Sequence, residues 1–496
     1  MARRIRWLGI GMVLCFFLLF LQLNNIQVVK AHQYATAAGN PVVQRALYDK
    51  PRGVIQSADG KILAQSVRAP KSSIYQYKRV YPEQWATLFS GVVGVDSINL
   101  GNYGVEESYN QYLVAHSRPV TSIKDLLTTS PPITDTVTLT ISSRLQQDAR
   151  NALAGRAGAV VAINPSTGAI LALYANPTFD PNPLASLSGA TENKAFKADT
   201  TNFLGYTPFT SLAYQDATRF GPGSTFKTVT TAAAYDRAPQ LVNTPVPSFG
   251  PIPSGHFQGQ TQPLANDAGG QCGGTIAIML PESCDTGYAI LGTEIGAPSM
   301  TAEADGFGFN QQPPIDLPHN SRTQISDFLQ PNCYQNAQVF LAYSSIGQKC
   351  TTASPLQMAM VASAFADNGT LMTPHVMAQI RDSDGNLVTQ YKPTAWKQAT
   401  SAATAAAVTN LMKEVVTAGT ATGVGFLPQD DVAAKTGTAQ AGVGNTSVNG
   451  WMIAFAPASH PVIAIAVVVP TKVTNLGATV AGPVVKAMIE AALSGP

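Results

Sequence analysis

From Trp7 to Leu23 the chain is almost wholly apolar, and no charge interrupts it until Lys30. At about 1.5 Å of rise per residue, the uncharged stretch from Trp7 to Val29 is long enough to cross a hydrocarbon core of about 30 Å. Arg3, Arg4 and Arg6 precede it with no basic residue directly after it, which by the positive-inside rule places that end in the cytoplasm. A cleaved signal peptide, with Ala35-Thr36-Ala37 as a late cleavage site, is the alternative; its apolar region would run only about 7 to 15 residues, so an uncleaved anchor is expected. The next most apolar run, Val462 to Pro470, is of strand length. The expected location is the cell membrane, single-pass, with the bulk of the chain outside the cytoplasm.

Residues 31 to 136 show short β-like runs broken by Gly, Pro and Ser, with Pro131-Pro132 near the end, and read as an irregular β-rich module. Val137 to Gly155 reads as a short strand entering a helix, with Ser142 or Ser143 as N-cap and Leu145, Ala149, Ala152 and Leu153 on one face. Gly158 to Ile163 and Ala169 to Tyr174 flank an Asn-Pro-x-x-Gly turn and predict a hairpin. Helical periodicity returns after Ser224, around Ala337 to Tyr343, from Pro355 to Ala366 and from Thr404 to Val416. Strands are expected at Trp451 to Phe455 and Val462 to Val469, then a helix from Gly482 to Leu493. Strands at both ends with helices between predict an α+β domain over 137–496 whose first and last strands are neighbours.

Length and composition narrow the classes. At 496 residues and 45% hydrophobic content the chain can bury a sizeable core over more than one domain. Charged residues make up only 12%, about half the ~25% usual for globular proteins. With the four basic residues of the first 30 set aside, 27 Lys and Arg face 29 Asp and Glu, so no basic footprint for nucleic acid exists. Beyond Cys15 in the apolar segment stand Cys272, Cys284, Cys333 and Cys350, an even number with three possible pairings. Intervals of 12, 49 and 17 lack the ligand spacing of zinc sites, so no metal is expected, whereas disulfides suit an extracytoplasmic chain. Two local bridges, Cys272 with Cys284 and Cys333 with Cys350, are the expected pairing, because both close short loops and the first would brace Ser283. Asp382 to Asn386 lacks the order of a calcium loop and reads as a hairpin turn. Nucleotide-binding glycine loops are absent.

Three segments carry candidate chemistry. In Gly221-Pro222-Gly223-Ser224-Thr225-Phe226-Lys227, a helix starting at Ser224 would put Lys227 one turn on, its amine within reach of the Ser224 hydroxyl. A serine needs such a base to become a nucleophile, and a lysine desolvated among apolar residues and near other cations can be neutral enough to serve. The helix start also offers N–H groups to a developing oxyanion. The second segment is Ser283-Cys284-Asp285, 59 residues on; the third is Lys435-Thr436-Gly437-Thr438, 152 further. Each alone is ordinary. S-x-x-K, a polar S-x-N-like triplet and K-T-G in that order form the motif set of serine penicillin-recognising enzymes.

With these motifs the chain resembles the class B penicillin-binding proteins, membrane-anchored D,D-transpeptidases that cross-link peptidoglycan, and among them the actinobacterial PbpA type. Similar segments run nearly the whole length: Arg52-Gly53-Val54-Ile55, Asp59 to Ala64, Arg79-Val80-Tyr81-Pro82 and Gly104 to Tyr109 before the motifs' domain, and Gly158 to Asn182, Gly306 to Asn310, Ile346-Gly347-Gln348, Ser354 to Ala359 and Gly450 to Pro457 within it. The resemblance implies a penicillin-recognising serine transpeptidase domain, an antiparallel sheet with flanking helices. It would follow an N-terminal pedestal or dimerisation-like module over 31–136 and a cytoplasmic tip and anchor over 1–30. It implies that Ser224 attacks the penultimate D-Ala carbonyl of a stem peptide with Lys227 as base, releasing terminal D-Ala, and that a neighbouring stem peptide's amine resolves the acyl-enzyme. Backbone N–H groups of Ser224 and Thr438 would form the oxyanion hole, Ser283 would relay protons, and Lys435, Thr436, Gly437 and Thr438 would hold the substrate carboxylate. β-Lactams would acylate the same serine. No cofactor is implied, and the implied partner is a polytopic membrane glycosyltransferase of the shape or division type.

Asp285 departs from the family's asparagine. An ionised carboxylate only accepts hydrogen bonds and favours the charged form of nearby lysines, which suits Lys435 and opposes Lys227 as base. Asp285 is therefore expected nearer Lys435 than Lys227, or protonated. Competing readings are a serine β-lactamase, an antibiotic sensor, or a scaffold that mainly activates a glycosyltransferase. The preceding module and anchor argue against the first, and the single membrane span against the second.

Overall fold

The computed structural model describes residues 2–30, 48–116, 133–201, 206–217, 220–266, 269–318, 324–335, 337–441 and 446–495. Ala35 to Ala37 and Pro131-Pro132 lie outside them. The apolar N-terminus forms helix α1 (Ala2–Asn24), continued by a wider turn to Val29; Arg3–Val29 is exposed along its length and long and apolar enough to cross a membrane.

Strands β1 (Ile55–Gln56), β2 (Ile62–Arg68) and β3 (Tyr77–Val80) follow. Strand β4 (Thr136–Leu139) leads into helix α2 (Ser143–Leu153), whose N-cap is Ser142, accepting from the Leu145 N–H. Leu145, Ala149 and Leu153 are buried on one face, as the periodicity predicts, while Ala152 of the same expected face is half-buried. The hairpin is β5 (Gly158–Ile163) and β6 (Ile170–Asn176). Helix α3 (Lys227–Arg237) carries the first motif's lysine; α4 (Ile276–Glu282) and α5 (Asp285–Ile295) flank Ser283; α6 (Pro355–Ala366) is buried almost all round. A helix apolar on every side belongs in a core rather than on a surface. Strands β7 (Met377–Arg381) and β8 (Leu387–Gln390) pair across the Asp-Gly turn. The chain closes with β9 (Ala433–Ala441), β10 (Ser447–Ala456), β11 (Ile463–Lys472) and α7 (Gly482–Leu493).

Two main sheets result. The five-stranded sheet runs β9-β10-β11-β5-β6 with antiparallel pairing throughout, and β11 meets β5 with Ala466 opposite Val161, so chain-distant strands are neighbours. From Ile463 to Val469 every residue of β11 is buried, because α6 covers one face of this sheet while α2 and α7 pack together by the other. β9 is an edge strand, and its outer edge is where the motifs gather. The second sheet runs β8-β7-β4-β1-β2-β3 and joins the N-terminal module to the catalytic part through parallel β1–β4 and antiparallel β4–β7 pairs.

One polar cluster braces the N-terminal module from within, and a second fastens it across the junction. Glu106, fully buried, accepts from Arg52 Nε and Arg79 Nε, both at 2.6 Å. Burial alone would push its carboxyl up, yet the guanidiniums of Arg79 and Arg52 hold it below its ordinary value. Asp316 accepts from Tyr109 of the N-terminal module at 2.5 Å and from the Val376 and Met377 N–H groups at 2.7 and 3.0 Å.

Candidate active site

The first motif forms a turn the sequence pattern does not give. Gly223 to Phe226 is a 3-10 turn, and the α-helix begins only at Lys227. Gly223 has φ +54° and donates to Gly347 O at 2.8 Å, and a Cβ there would lie 2.9 Å from the Thr438 backbone. Only glycine suits both that left-handed conformation and that contact. Gly437 is pressed on the same turn, its notional Cβ 2.9 Å from Pro222 O. Ser224 is thus held against the edge of β9 with 6% of its surface exposed. Thr225 Oγ1 donates back to Pro222 O at 2.7 Å, and Trp451 Nε1 ties the approach down through Gly221 O at 2.9 Å. Phe226 anchors the turn from below, stacked on Phe328 and edge-on to Phe309.

Lys227 and Lys435 are both fully buried and converge on Ser283. Lys227 Nζ donates to Ser283 O at 2.6 Å and to Asp285 Oδ1 at 2.7 Å, and lies 3.5 Å from Ser283 Oγ. Lys435 Nζ donates to Ser283 Oγ at 2.8 Å and to Thr436 O at 3.0 Å. The Ser283 hydroxyl therefore bridges the two amines. Among the described residues Ser224 Oγ makes no hydrogen bond, so the amine of Lys227 is engaged with Ser283 and Asp285 rather than with the serine one turn away.

The expected neighbourhood of Asp285 is corrected by the fold. Asp285 is the first residue of α5, and its carboxylate forms its ion pair with Lys227. The α4 turn that ends at Ser283 aims residue 285 at the amine of the first motif, while Lys435 reaches the preceding hydroxyl. Ser283 itself adopts φ +60°, a left-handed conformation unusual for a non-glycine residue. The turn is held by Cys284 N–H donating to Met279 O at 3.0 Å, and by Cys284 Sγ accepting from Gly287 N–H as the N-cap of α5. Cys284 is bridged to Cys272, and Cys333 to Cys350. Asn266 Oδ1 adds a brace by accepting from Thr286 N–H at 2.9 Å.

The hydroxyls of the third motif are also engaged. Thr436 Oγ1 shares a 2.6 Å hydrogen bond with Thr420 Oγ1, and Thr438 Oγ1 accepts from Gly477 N–H at 3.1 Å, which leaves its own proton free to donate to an anion. Thr420, Gly477 and Tyr288, whose ring lies 5.6 Å from Lys227 Nζ, were not singled out by the sequence, because nothing local distinguishes them. Burial pushes the Tyr288 phenol up, keeping it a neutral partner of Thr231. A half-buried hydroxyl between two lysine amines, one of them three residues on from a serine held by a glycine turn at a strand edge, can move a proton away from that serine and hold an anion near it.

Residues 158–490 match the family described as the penicillin binding protein transpeptidase domain, and residues 52–137 that described as the penicillin binding protein A dimerisation domain. The chain is 32% identical to the peptidoglycan D,D-transpeptidase PbpA of Mycobacterium tuberculosis, with 100% of both chains covered. Identity to the protein of that name from Mycolicibacterium smegmatis is also 32%, covering 96% of each. The crystal structure of PBPA from M. tuberculosis superposes with a TM-score of 0.79 at 30% identity, covering 90% of this chain and 100% of that one. Its penicillin G acyl-enzyme complex superposes at 0.77, again at 30% identity.

Proposed function

We propose, for a chain that belongs to the penicillin-binding protein transpeptidase family, that Ser224 is the nucleophile of a peptidoglycan D,D-transpeptidase and the residue that β-lactams acylate. The observation that carries this is the bridging of Lys227, three residues on from Ser224, to Lys435 through the Ser283 hydroxyl.

In the first half-reaction Lys227 serves as base once it has handed a proton to the Asp285 carboxylate 2.7 Å away; Ser224 Oγ then attacks the penultimate D-Ala carbonyl and its proton passes to the Lys227 amine. The Ser224 and Thr438 N–H groups receive the oxyanion. Collapse breaks the peptide bond, and the proton reaches the departing D-Ala amine through Ser283, whose oxygen is 3.5 Å from Lys227 Nζ. In the second half-reaction an amine of a neighbouring stem peptide attacks the ester and Ser224 recovers its proton by the reverse route. Lys435, with the hydroxyls of Thr436 and Thr438, serves as counter-ion to the terminal carboxylate, and Gly437 lets the strand approach closely.

α1 would anchor the protein with its three arginines in the cytoplasm and the transpeptidase domain outside. Glycan polymerisation would come from a polytopic membrane glycosyltransferase. Mass spectrometry after incubation with benzylpenicillin tests the assignment: one adduct is expected on the peptide containing Ser224, and an adduct retained by Ser224→Ala refutes it. Lys227→Ala should slow acylation by at least about 100-fold, the usual cost of losing a general base.

A further inference from the structure

Next to the motifs lies a cleft of about 520 Å³ that none of the steps above uses. Gly221, Tyr343, Gln348, Lys349, Ala439 and Gln440 line it, so it opens between the approach to Ser224 and the far end of the same edge strand that carries Lys435 to Thr438. Its one charged lining residue is Lys349, exposed, with Nζ 5.5 Å from the centre of the Tyr343 ring; every other described lining residue is neutral.

Lys349 is not a loosely placed surface lysine. Its backbone is left-handed at φ +55°, directly between Gln348 N–H, which donates to Tyr343 O at 3.0 Å, and Cys350, bridged to Cys333. Two residues earlier, Gly347 O accepts from Gly223 N–H at 2.8 Å, so the turn that holds Lys349 is bonded to the turn that holds Ser224. The backbone from which the Lys349 side chain projects is thus held in place relative to the turn that carries the nucleophile.

The direction of a bound donor peptide follows from the strand. Its terminal carboxylate belongs with Lys435, and its reacting carbonyl with Ser224, which is pressed against Thr438. An extended donor on the free edge of β9 therefore runs antiparallel to it. Each residue further from the donor's C-terminus advances about 3.4 Å toward Ala439 and Gln440. The residue before the D-Ala-D-Ala end thus reaches the mouth of the cleft, whose chemistry is one ammonium with amide and hydroxyl neighbours.

We propose that Lys349 determines donor specificity by receiving a carboxylate on the side chain of the third stem-peptide residue. The proposal rests on the transpeptidase reading of Ser224. Two synthetic donors ending in D-Ala-D-Ala, alike except for a free carboxylate or its primary amide at the third residue, test it on the full-length protein in detergent. Acyl-enzyme formation and D-Ala release give kcat/KM for each. The wild type should prefer the free carboxylate by about fivefold, as a partly solvated ion pair allows. Lys349→Asn, which keeps a residue tolerant of left-handed backbone, should erase the preference, and Lys349→Arg should restore it. No preference in the wild type, or one that survives Lys349→Asn, overturns the proposal. A wild type that reacts with benzylpenicillin at Ser224 but with neither donor instead overturns the transpeptidase reading beneath it.

Discussion

Removing the Cys272–Cys284 bridge should affect both stability and acylation, and the structure separates the two. The bridge closes a loop of 12 residues, which in the chain-entropy model is worth about 3 kcal/mol. Cys272→Ala is the informative variant because Cys284 Sγ stays in place to cap α5 through Gly287 N–H. The effect on chemistry runs through Ser283. Holding a non-glycine residue left-handed costs about 1 to 2 kcal/mol, and one of the tethers that hold it is lost with the bridge. If Ser283 relaxes out of that conformation, its hydroxyl leaves Lys435 Nζ and the bridge between the two amines opens. A strain of that size corresponds to about tenfold in rate. Urea denaturation should show the loss of stability, and stopped-flow acylation by a chromogenic β-lactam the slower reaction. Acylation unchanged in a destabilised Cys272→Ala protein would show that the remaining contacts, including Asn266 with Thr286, position Ser283 unaided.

Asp285→Asn removes the anion that pairs with Lys227, so acylation rates across pH should diverge between the two proteins; superimposable profiles would show that the carboxylate does not couple to the base. Glu303, pushed up to about 7 by burial against the opposing pull of Arg237, has one oxygen without a partner among the described residues. Folded protein keeps this proton while unfolded chain releases it from about pH 4.5, so stability should fall by up to about 3 kcal/mol as pH rises from there to 7, then level off. Glu303→Gln should flatten that slope in thermal melts from pH 5 to 8, and parallel curves would refute the assignment. Gly477→Ala would put a Cβ 2.0 Å from Gly437 O, so it should destabilise by about 1 to 3 kcal/mol and slow acylation by displacing the third motif; a wild-type rate would mean that β9 tolerates the shift.

What the sequence determined by itself is local in origin. The anchor, the β5–β6 hairpin, β11, α6 and the capped start of α2 each follow from periodicity and punctuation within a few residues, and S-x-x-K and K-T-G are contiguous strings whose order alone is informative. The meeting of early and late strands was legible only in part: β5 does lie beside β11, but the domain's first strand, β4, pairs with β1 and β7 in the second sheet. Tertiary structure decided how the strings meet. Lys227 and Asp285 are 58 residues apart, and Lys435 and Ser283 152 apart, so no local period relates them. Which lysine receives the carboxylate depends on where the turn at Ser283 aims the first residue of α5, and that turn is fixed by a disulfide and by carbonyls of α4. The 3-10 turn at Ser224 has a similar origin: Gly223 is drawn to Gly347 and Thr438, contacts from distant segments that outweigh the helical preference of the residues that follow.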